Sequence, residues 1–374
     1  MGRSYHSGPG FAVDLQGQMH DSVTLLVEPA KPVTSSLLLP LSFGDSTGHK
    51  RLSCGRLFLY FFLFLERDII IVMKTRLAVL RGGPSNEYEI SIKTGQSVLS
   101  ALSDNEKYEI HDILIDKEGN WHFDGLPITP QSLVNKIDIV FNAMHGEYGE
   151  DGTVQKIFEN IGIPFTGSGS LASALGMNKS LAKYVFKQHG IKTPVHITIS
   201  KEEATDEKFH EVFRSFPFPN IVKPLSSGSY LGVTLVRTFQ DLKNAVEKAF
   251  QYSPVALVEE YISGKEANCG VINNFRGEEV YALVPAEDEI CPGSFNEAEK
   301  EAIATAAKNI HKALGLRHYS HSDFIVHPRR GVYALEVNTL PGLAPEALLP
   351  RSLAAVGCTL PEFLDHVIGQ ALNK

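Results

Sequence analysis

The chain has 374 residues, enough for two or three domains that each bury a core of their own, which argues against a single-core architecture. A formal net charge of -8 leaves no basic surface for nucleic acid in what is otherwise the composition of a soluble globular protein, and anionic ligands have to be met by local groups. The four cysteines, Cys54, Cys269, Cys291 and Cys358, form no CxxC pair, which argues against a zinc or disulfide framework and fits a reducing, cytoplasmic setting.

Residues 1–72 are rich in Ser, Gly and Pro and carry no sustained helical or strand period, so they are expected to be an N-terminal extension that is disordered or not native. The apolar run Leu57 to Leu65 is interrupted by Glu66, Arg67 and Asp68. It is too short to span a bilayer, and no membrane association is expected. Met73 is the expected natural start.

From Met73 onward strands and helices alternate, which predicts an α/β fold. In residues 73–168, strands at Leu77 to Leu80, Glu109 to Ile115, Asp138 to Ala143 and Ile163 to Thr166, with a helix carrying Ile90, Val98 and Leu99, predict an open parallel, Rossmann-like sheet. Residues 169–255 hold the helix Ser180 to His189, closed by Gly190, a strand ending at Lys223 and the helix Gln240 to Phe250. Residues 256–374, of α+β character, hold strands at Ala256 to Tyr261, Ala267 to Asn273, Ser322 to Val326 and Val332 to Asn338, with the helix Glu297 to Leu314 between them.

In the last two strands Asp323 and Glu336 flank a turn at His327-Pro328-Arg329-Arg330-Gly331, and a hairpin centred there brings the two carboxylates together. Asn338, two residues beyond Glu336, falls on the same face. Three hard oxygen donors suit Mg²⁺, although solvated carboxylates on an ordinary hairpin would read the same in isolation.

Two lysines are candidates for phosphate. Lys223 ends a strand before the loop Pro224 to Gly232, whose Ser and Gly residues offer hydroxyls and backbone N–H groups, without the GK[ST] ending of a Walker loop. Lys179 sits in the first turn of the helix capped by Asn178, where a cation opposes the helix dipole and an anionic ligand would offset it. The alternative for Lys179 is a surface lysine, since Lys183 and Lys187 continue the same face at i+4 spacing. The strand-to-turn segment Glu259-Glu260-Tyr261-Ile262, followed by Glu266, offers backbone groups for an adenine edge and a carboxylate for ribose hydroxyls.

Taken together these segments resemble the D-alanine–D-alanine ligase family of the ATP-grasp superfamily. The resemblance covers nearly all of residues 74–374 and rests on Gly82-Gly83-Pro84-Ser85-Asn86-Glu87-Tyr88-Glu89-Ile90-Ser91, His145-Gly146 with Gly149-Glu150-Asp151-Gly152-Thr153, Thr166-Gly167-Ser168-Gly169, and Glu336-Val337-Asn338-Thr339-Leu340-Pro341-Gly342. It implies an ATP-grasp fold behind the N-terminal sheet, and D-alanyl-D-alanine formation through an acyl phosphate for peptidoglycan synthesis. By the same resemblance Lys179 and Lys223 hold ATP phosphates, Ser229 belongs to a mobile loop over the site, Glu259 to Ile262 meet adenine and Glu266 the ribose. Asp323, Glu336 and Asn338 bind two Mg²⁺ (or Mn²⁺) ions. Glu87 fixes the first substrate's ammonium with His145 nearby, and the Gly342 N–H meets the tetrahedral intermediate. A homodimer is a family expectation.

Three positions depart from the family pattern. His321 stands where the family has an arginine that steadies the oxyanion. The segment Tyr281 to Phe295 is short, acidic and without the lid's lysine. After Gly342 a Ser/Thr-rich stretch is replaced by Leu343-Ala344-Pro345-Glu346-Ala347-Leu348, where Glu346 would repel a carboxylate. These departures keep two alternatives open, an ATP-grasp carboxylate–amine ligase with a different second substrate and a nucleotide-binding homologue with little turnover.

Overall fold

The structure, a computed structural model, describes residues 73–215, 217–226, 231–287 and 290–373. The expectations for residues 1–72 and for Ser229 lie outside these residues. The chain divides into Met1–Met73 and Lys74–Lys374, and every element below belongs to the second unit.

β1 (Thr75–Gly82), α1 (Tyr88–Leu102), β2 (Tyr108–Ile115), β3 (Trp121–Phe123), β4 (Leu126–Ile128) and β5 (Ile139–Asn142) build a five-stranded sheet in the order β4-β3-β2-β1-β5. β1 runs parallel to β2 and β5, as the open parallel sheet requires, and β3 and β4 add an antiparallel edge that was not expected. The hairpin between them turns at Asp124-Gly125, both at positive φ, the pairing that a two-residue turn of matching twist requires. Residues Ile163 to Thr166 contribute only a bridge between Phe165 and Val140 instead of a full strand. Gly82 has φ of +88°, and a Cβ there would collide with the Ile115 carbonyl oxygen, so the loop leaving β1 needs glycine. Its N–H donates to Ser91 Oγ at 2.7 Å, and that hydroxyl donates to the Ala143 carbonyl at 3.0 Å, which fixes α1 over the ends of β1 and β5.

After α2 (Thr153–Ile161) come α3 (Ser170–Met177) and α4 (Lys179–Gln188), the latter capped by Asn178 accepting from the Leu181 N–H at 3.1 Å. β6 (His196–Ser200), α5 (Asp206–Ser215), β7 (Asn220–Pro224), β8 (Thr234–Val236), α6 (Phe239–Ala249) and β9 (Val255–Glu260) follow, giving a second, antiparallel sheet in the order β6-β9-β7-β8. The boundary expected at 255/256 would cut β9 away from β6 and β7, to which it is paired; the sheet changes only after Glu260. Nor do α3 and α4 cover this sheet. Ala172, Ala182, Phe186 and Ile191 pack with Ala267, Phe324 and Val337, on the third sheet.

That third sheet consists of β10 (Lys265–Phe275), β11 (Glu278–Ala282), β12 (Tyr319–His327) and β13 (Gly331–Asn338), in the order β11-β10-β12-β13, with α7 (Glu297–Ala313) between β11 and β12 in the chain. α8 (Leu348–Ala355) and α9 (Leu360–Leu372) close the fold. Phe363, Leu364, Val367 and Ile368 of α9 join one core with Leu77, Val79 and Phe141, so the C-terminal helix packs back on the first sheet.

His311 of α7 is buried between Ser320 Oγ and Asn273 Oδ1, each 2.8 Å from a ring nitrogen. Burial, helped by the Lys312 charge, pushes the ring down to about 4. The neutral ring's contribution to stability is complete above about pH 6.5 and declines as pH falls towards 4, because there the unfolded chain takes up a proton that the folded chain does not. In His311→Gln the loss of unfolding free energy with falling pH in this window should be smaller by up to about 1.4 kcal/mol per pH unit. Urea titrations at pH 7.5, 6 and 5 measure it; equal slopes in the two proteins would take His311 out of the proton count.

Candidate active site

The β12–β13 hairpin turns at His327 to Gly331, where His327 Nδ1 accepts from the backbone N–H groups of Arg329 and Arg330 at 3.1 and 3.0 Å and Gly331 takes a φ of 83°. Its register sets Asp323 opposite Glu336 and His321 opposite Asn338, with a bulge after Asp323. Alternation along each strand then puts all four side chains on one face.

The ends of the second sheet meet that face. Lys179 at the start of α4, Lys223 near the end of β7, Glu259 to Ile262 and Glu266 line one pocket with Asp323 and Glu336. Its remaining wall is apolar, from Ile221, Leu231, Val233, Ile325 and Leu335, so one end suits a flat ring and the other an anion. Lys179 Nζ lies 3.4 Å and Lys223 Nζ 3.8 Å from Glu336 Oε2. Lys223 also contacts Glu259 Oε1 at 2.8 Å, and Lys183 contacts Glu259 Oε2 at 3.1 Å.

Lys183 is the clearest miss of the sequence reading. It is fully buried rather than on the surface, because the inward stripe of α4 runs Lys179, Ala182, Lys183 and Phe186 while Lys187 is exposed. The apolar pair Ala182 and Phe186 was the available signal. Burial pulls the Lys183 ammonium down to about 8, still charged at pH 7. Burial likewise disfavours the charge on Glu259, but Lys183 and Lys223 outweigh it and hold the carboxyl down to about 2.

Asp323 and Glu336 open onto the pocket, 26% and 31% exposed, yet face each other deep in the protein. Burial and then the Glu336 charge push Asp323 up to about 8. For Glu336 burial acts in the same direction, but the Lys179 and Lys223 charges overcome it and keep its carboxyl low. Two facing carboxylates that resist joint ionisation suit a divalent cation, which relieves their repulsion. Asn338 Oδ1 already accepts from the Leu340 N–H at 2.9 Å and retains a lone pair. Among the described residues there is no group of three or more His, Cys, Asp and Glu arranged for a metal, so the amide oxygen would have to be the third donor. Burial pushes the His321 imidazole down to about 4, and its Nδ1 is 3.8 Å from Asp323 Oδ1; at neutral pH it brings no positive charge.

A second cluster gathers where the first sheet meets the turn after β13. Ser85 Oγ donates to the His145 carbonyl at 2.7 Å and accepts from the Glu87 N–H at 3.0 Å. Glu87 is at the N-cap position of α1 but makes no side-chain cap, and its Oε1 would lie 3.1 Å from a Cβ on Gly146. His145 Nε2 is 2.8 Å from Thr94 Oγ1, which also accepts from the Leu343 N–H at 3.4 Å, just past Gly342. Glu150, which the sequence reading did not single out, accepts from the Gly146 N–H at 2.8 Å and the Leu340 N–H at 3.1 Å and so ties the two loops together. Burial, then the Glu87 charge, pushes Glu150 up to about 8, while burial pushes His145 down to about 4.

Three sequence-derived positions look different in space. The Glu260 carboxylate pairs with Arg330 Nη1 at 2.8 Å, and that of Glu259 is held by lysines, so both charges are already compensated. Tyr261 is 41% exposed at the pocket rim. The short segment after β11 runs along β10, with the Leu283 N–H donating to Gly270 at 2.8 Å and that of Ala286 to Asn268 at 2.9 Å.

Sequence profiles described as "D-ala D-ala ligase N-terminus" and "D-ala D-ala ligase C-terminus" match residues 76–132 and 124–168, and 185–287 and 285–369, respectively. The D-alanine–D-alanine ligase of Pelotomaculum thermopropionicum is 34% identical over 325 residues, covering 81% of this chain and 98% of that one. Among solved structures, the Bacillus anthracis D-alanine–D-alanine ligase complexed with ATP aligns with a TM-score of 0.67 at 32% identity, covering 80% of this chain and 97% of that one. The VanG D-Ala:D-Ser ligase of Enterococcus faecalis aligns with a TM-score of 0.72 at 28% identity over 80% of this chain and all (100%) of that one.

Proposed function

The chain belongs to the D-alanine–D-alanine ligase family, and we propose that its pocket uses ATP to join two D-alanine molecules into D-alanyl-D-alanine for peptidoglycan. The observation that carries this reading is the meeting of Lys179 and Lys223 with the Asp323–Glu336 pair in one half-apolar pocket. Lys179 and Lys223 would neutralise ATP phosphates, Glu266 would accept from ribose hydroxyls, and the backbone of Glu259 to Ile262, rather than its side chains, would read the adenine edge. Asp323, Glu336 and Asn338 would hold two Mg²⁺ or Mn²⁺ ions, which supply charge neutralisation on the transferring phosphoryl group.

At the other cluster the Glu87 carboxylate would take the first amino acid's ammonium beside His145, and the Gly342 N–H would donate to the oxyanion formed when the second amine attacks the acyl phosphate. His321, whose ring burial keeps neutral, would add no positive charge to that step. Ser229 is proposed to act from the loop after β7. A homodimer and a cytoplasmic location complete the proposal; among the described residues no helix is long and apolar enough to cross a membrane.

A second reading, a different second amine, is favoured by the Leu343 to Leu348 segment with exposed Glu346. Incubating the protein with ATP, Mg²⁺ and single or paired amino acids, including D-alanine and D-serine, and following phosphate and dipeptide by mass spectrometry separates the two. Dipeptide from D-alanine alone is expected. Phosphate release only with another amine would replace the first reading by the second, and ATP binding without turnover with any pair would sink both.

A further inference from the structure

Lys183 does not line the pocket, yet it is wholly buried. A lysine is removed from water only where other charges or acceptors compensate it. Its Nζ is 2.8 Å from Thr193 Oγ1 and 3.1 Å from Glu259 Oε2. The second contact is an ion pair without hydrogen-bond alignment, since Glu259 Oε2 has no hydrogen-bond partner. Glu259 is itself 3% exposed and presents its other oxygen to Lys223 at 2.8 Å. One buried negative charge is thus divided between two lysines on different elements, α4 and β7, and only Lys223 faces the pocket.

We infer that Lys183 is a positioning residue for phosphate binding: by occupying one oxygen of Glu259 it leaves Lys223 with positive charge to spare for an anion in the pocket. Without Lys183 the full charge of Glu259 falls on Lys223 at 2.8 Å, and an arriving phosphate must compete with a buried, pre-formed ion pair. The inference rests on the proposed role of Lys223. A lysine that merely ties α4 to β9 would stabilise the fold without telling one ligand from another.

The test compares binding of ATP and of adenosine to the full chain by calorimetry in EDTA, so that the lysine field is read without metal. Lys183→Met is expected to weaken ATP about tenfold and leave adenosine unchanged. The double variant Lys183→Met/Glu259→Gln, which removes both charges of the hidden pair, should return ATP affinity to within about twofold of the parent. Glu259→Gln alone should raise ATP affinity several-fold, and it supplies the answer if Lys183→Met does not fold. Equal weakening of both ligands, no rescue in the double variant, or unchanged ATP affinity in Glu259→Gln would each overturn the inference. Lys223→Met separates it from the reading beneath it. If that variant keeps full ATP affinity, the phosphate role of Lys223 has failed; if it loses affinity while Lys183→Met does not, only the role of Lys183 has.

Discussion

Glu336→Gln should lose dipeptide synthesis by on the order of 10³-fold or more while keeping its fold. Glu336 faces Asp323 across β12 and β13, and the substitution keeps the shape of the side chain but removes the charge that makes the pair suited to a divalent cation. The same carboxylate is the partner of Lys179 at 3.4 Å and of Lys223 at 3.8 Å. Its neutralisation removes one negative charge that both lysines now face, so ATP affinity measured in EDTA should hold or rise as turnover collapses. Paired measurements of dipeptide by mass spectrometry and of ATP binding by calorimetry read the two effects apart. A fully active variant would remove Glu336 from the proposed metal set, whereas loss of metal-free ATP binding would mean that it supports the pocket's shape instead.

What the sequence made legible was local. The Asp323–Glu336 hairpin could be placed because a turn-rich cluster between two apolar strands sets its own register, and no distant contact enters that argument. The α4 cap at Asn178 and the helices α6 and α7 were readable for the same reason. β3 and β4 were not, since three residues are too few to display an alternation, although the Asp124-Gly125 pair was a turn signal that went unused.

Most of the remaining misses concern partners far apart in the chain. A helical stripe shows that α4 buries Ala182 and Phe186 but not against which sheet, and its partners turned out to lie some eighty to one hundred and fifty residues onward, in β10, β12 and β13. Glu150 joins the Gly146 loop to Leu340 across 190 residues, a link that no window of sequence contains. Within β9 the neighbouring residues Glu259 and Glu260 point to opposite faces, one towards the lysines and the other towards Arg330. The pleat thus gives the two carboxylates separate environments, although both residues line the same pocket.

Gly342 offers the cleanest division between fold and chemistry. Unlike Gly82, it does not have the positive φ that would demand glycine, and a Cβ built on it would meet only Ala347 Cβ at 3.5 Å and Thr94 Oγ1 at 3.9 Å, which are ordinary contacts. The protein itself therefore tolerates alanine there. The added methyl instead enters the space beside Thr94 and the N–H proposed to meet the oxyanion, where the reacting carbon must approach closely. Gly342→Ala should melt within about 1 °C of the parent and yet lose about 10²-fold in kcat/KM, because the N–H donor is kept but the methyl holds the reacting carbon away from it. Because the proposed ATP site lies at the Lys179 and Lys223 end, ATP affinity should be untouched. Thermal unfolding, steady-state kinetics and calorimetry on one preparation distinguish the cases: a variant with normal kinetics would show that the turn after β13 stands clear of the substrate, and a lowered melting point would return Gly342 to a structural role.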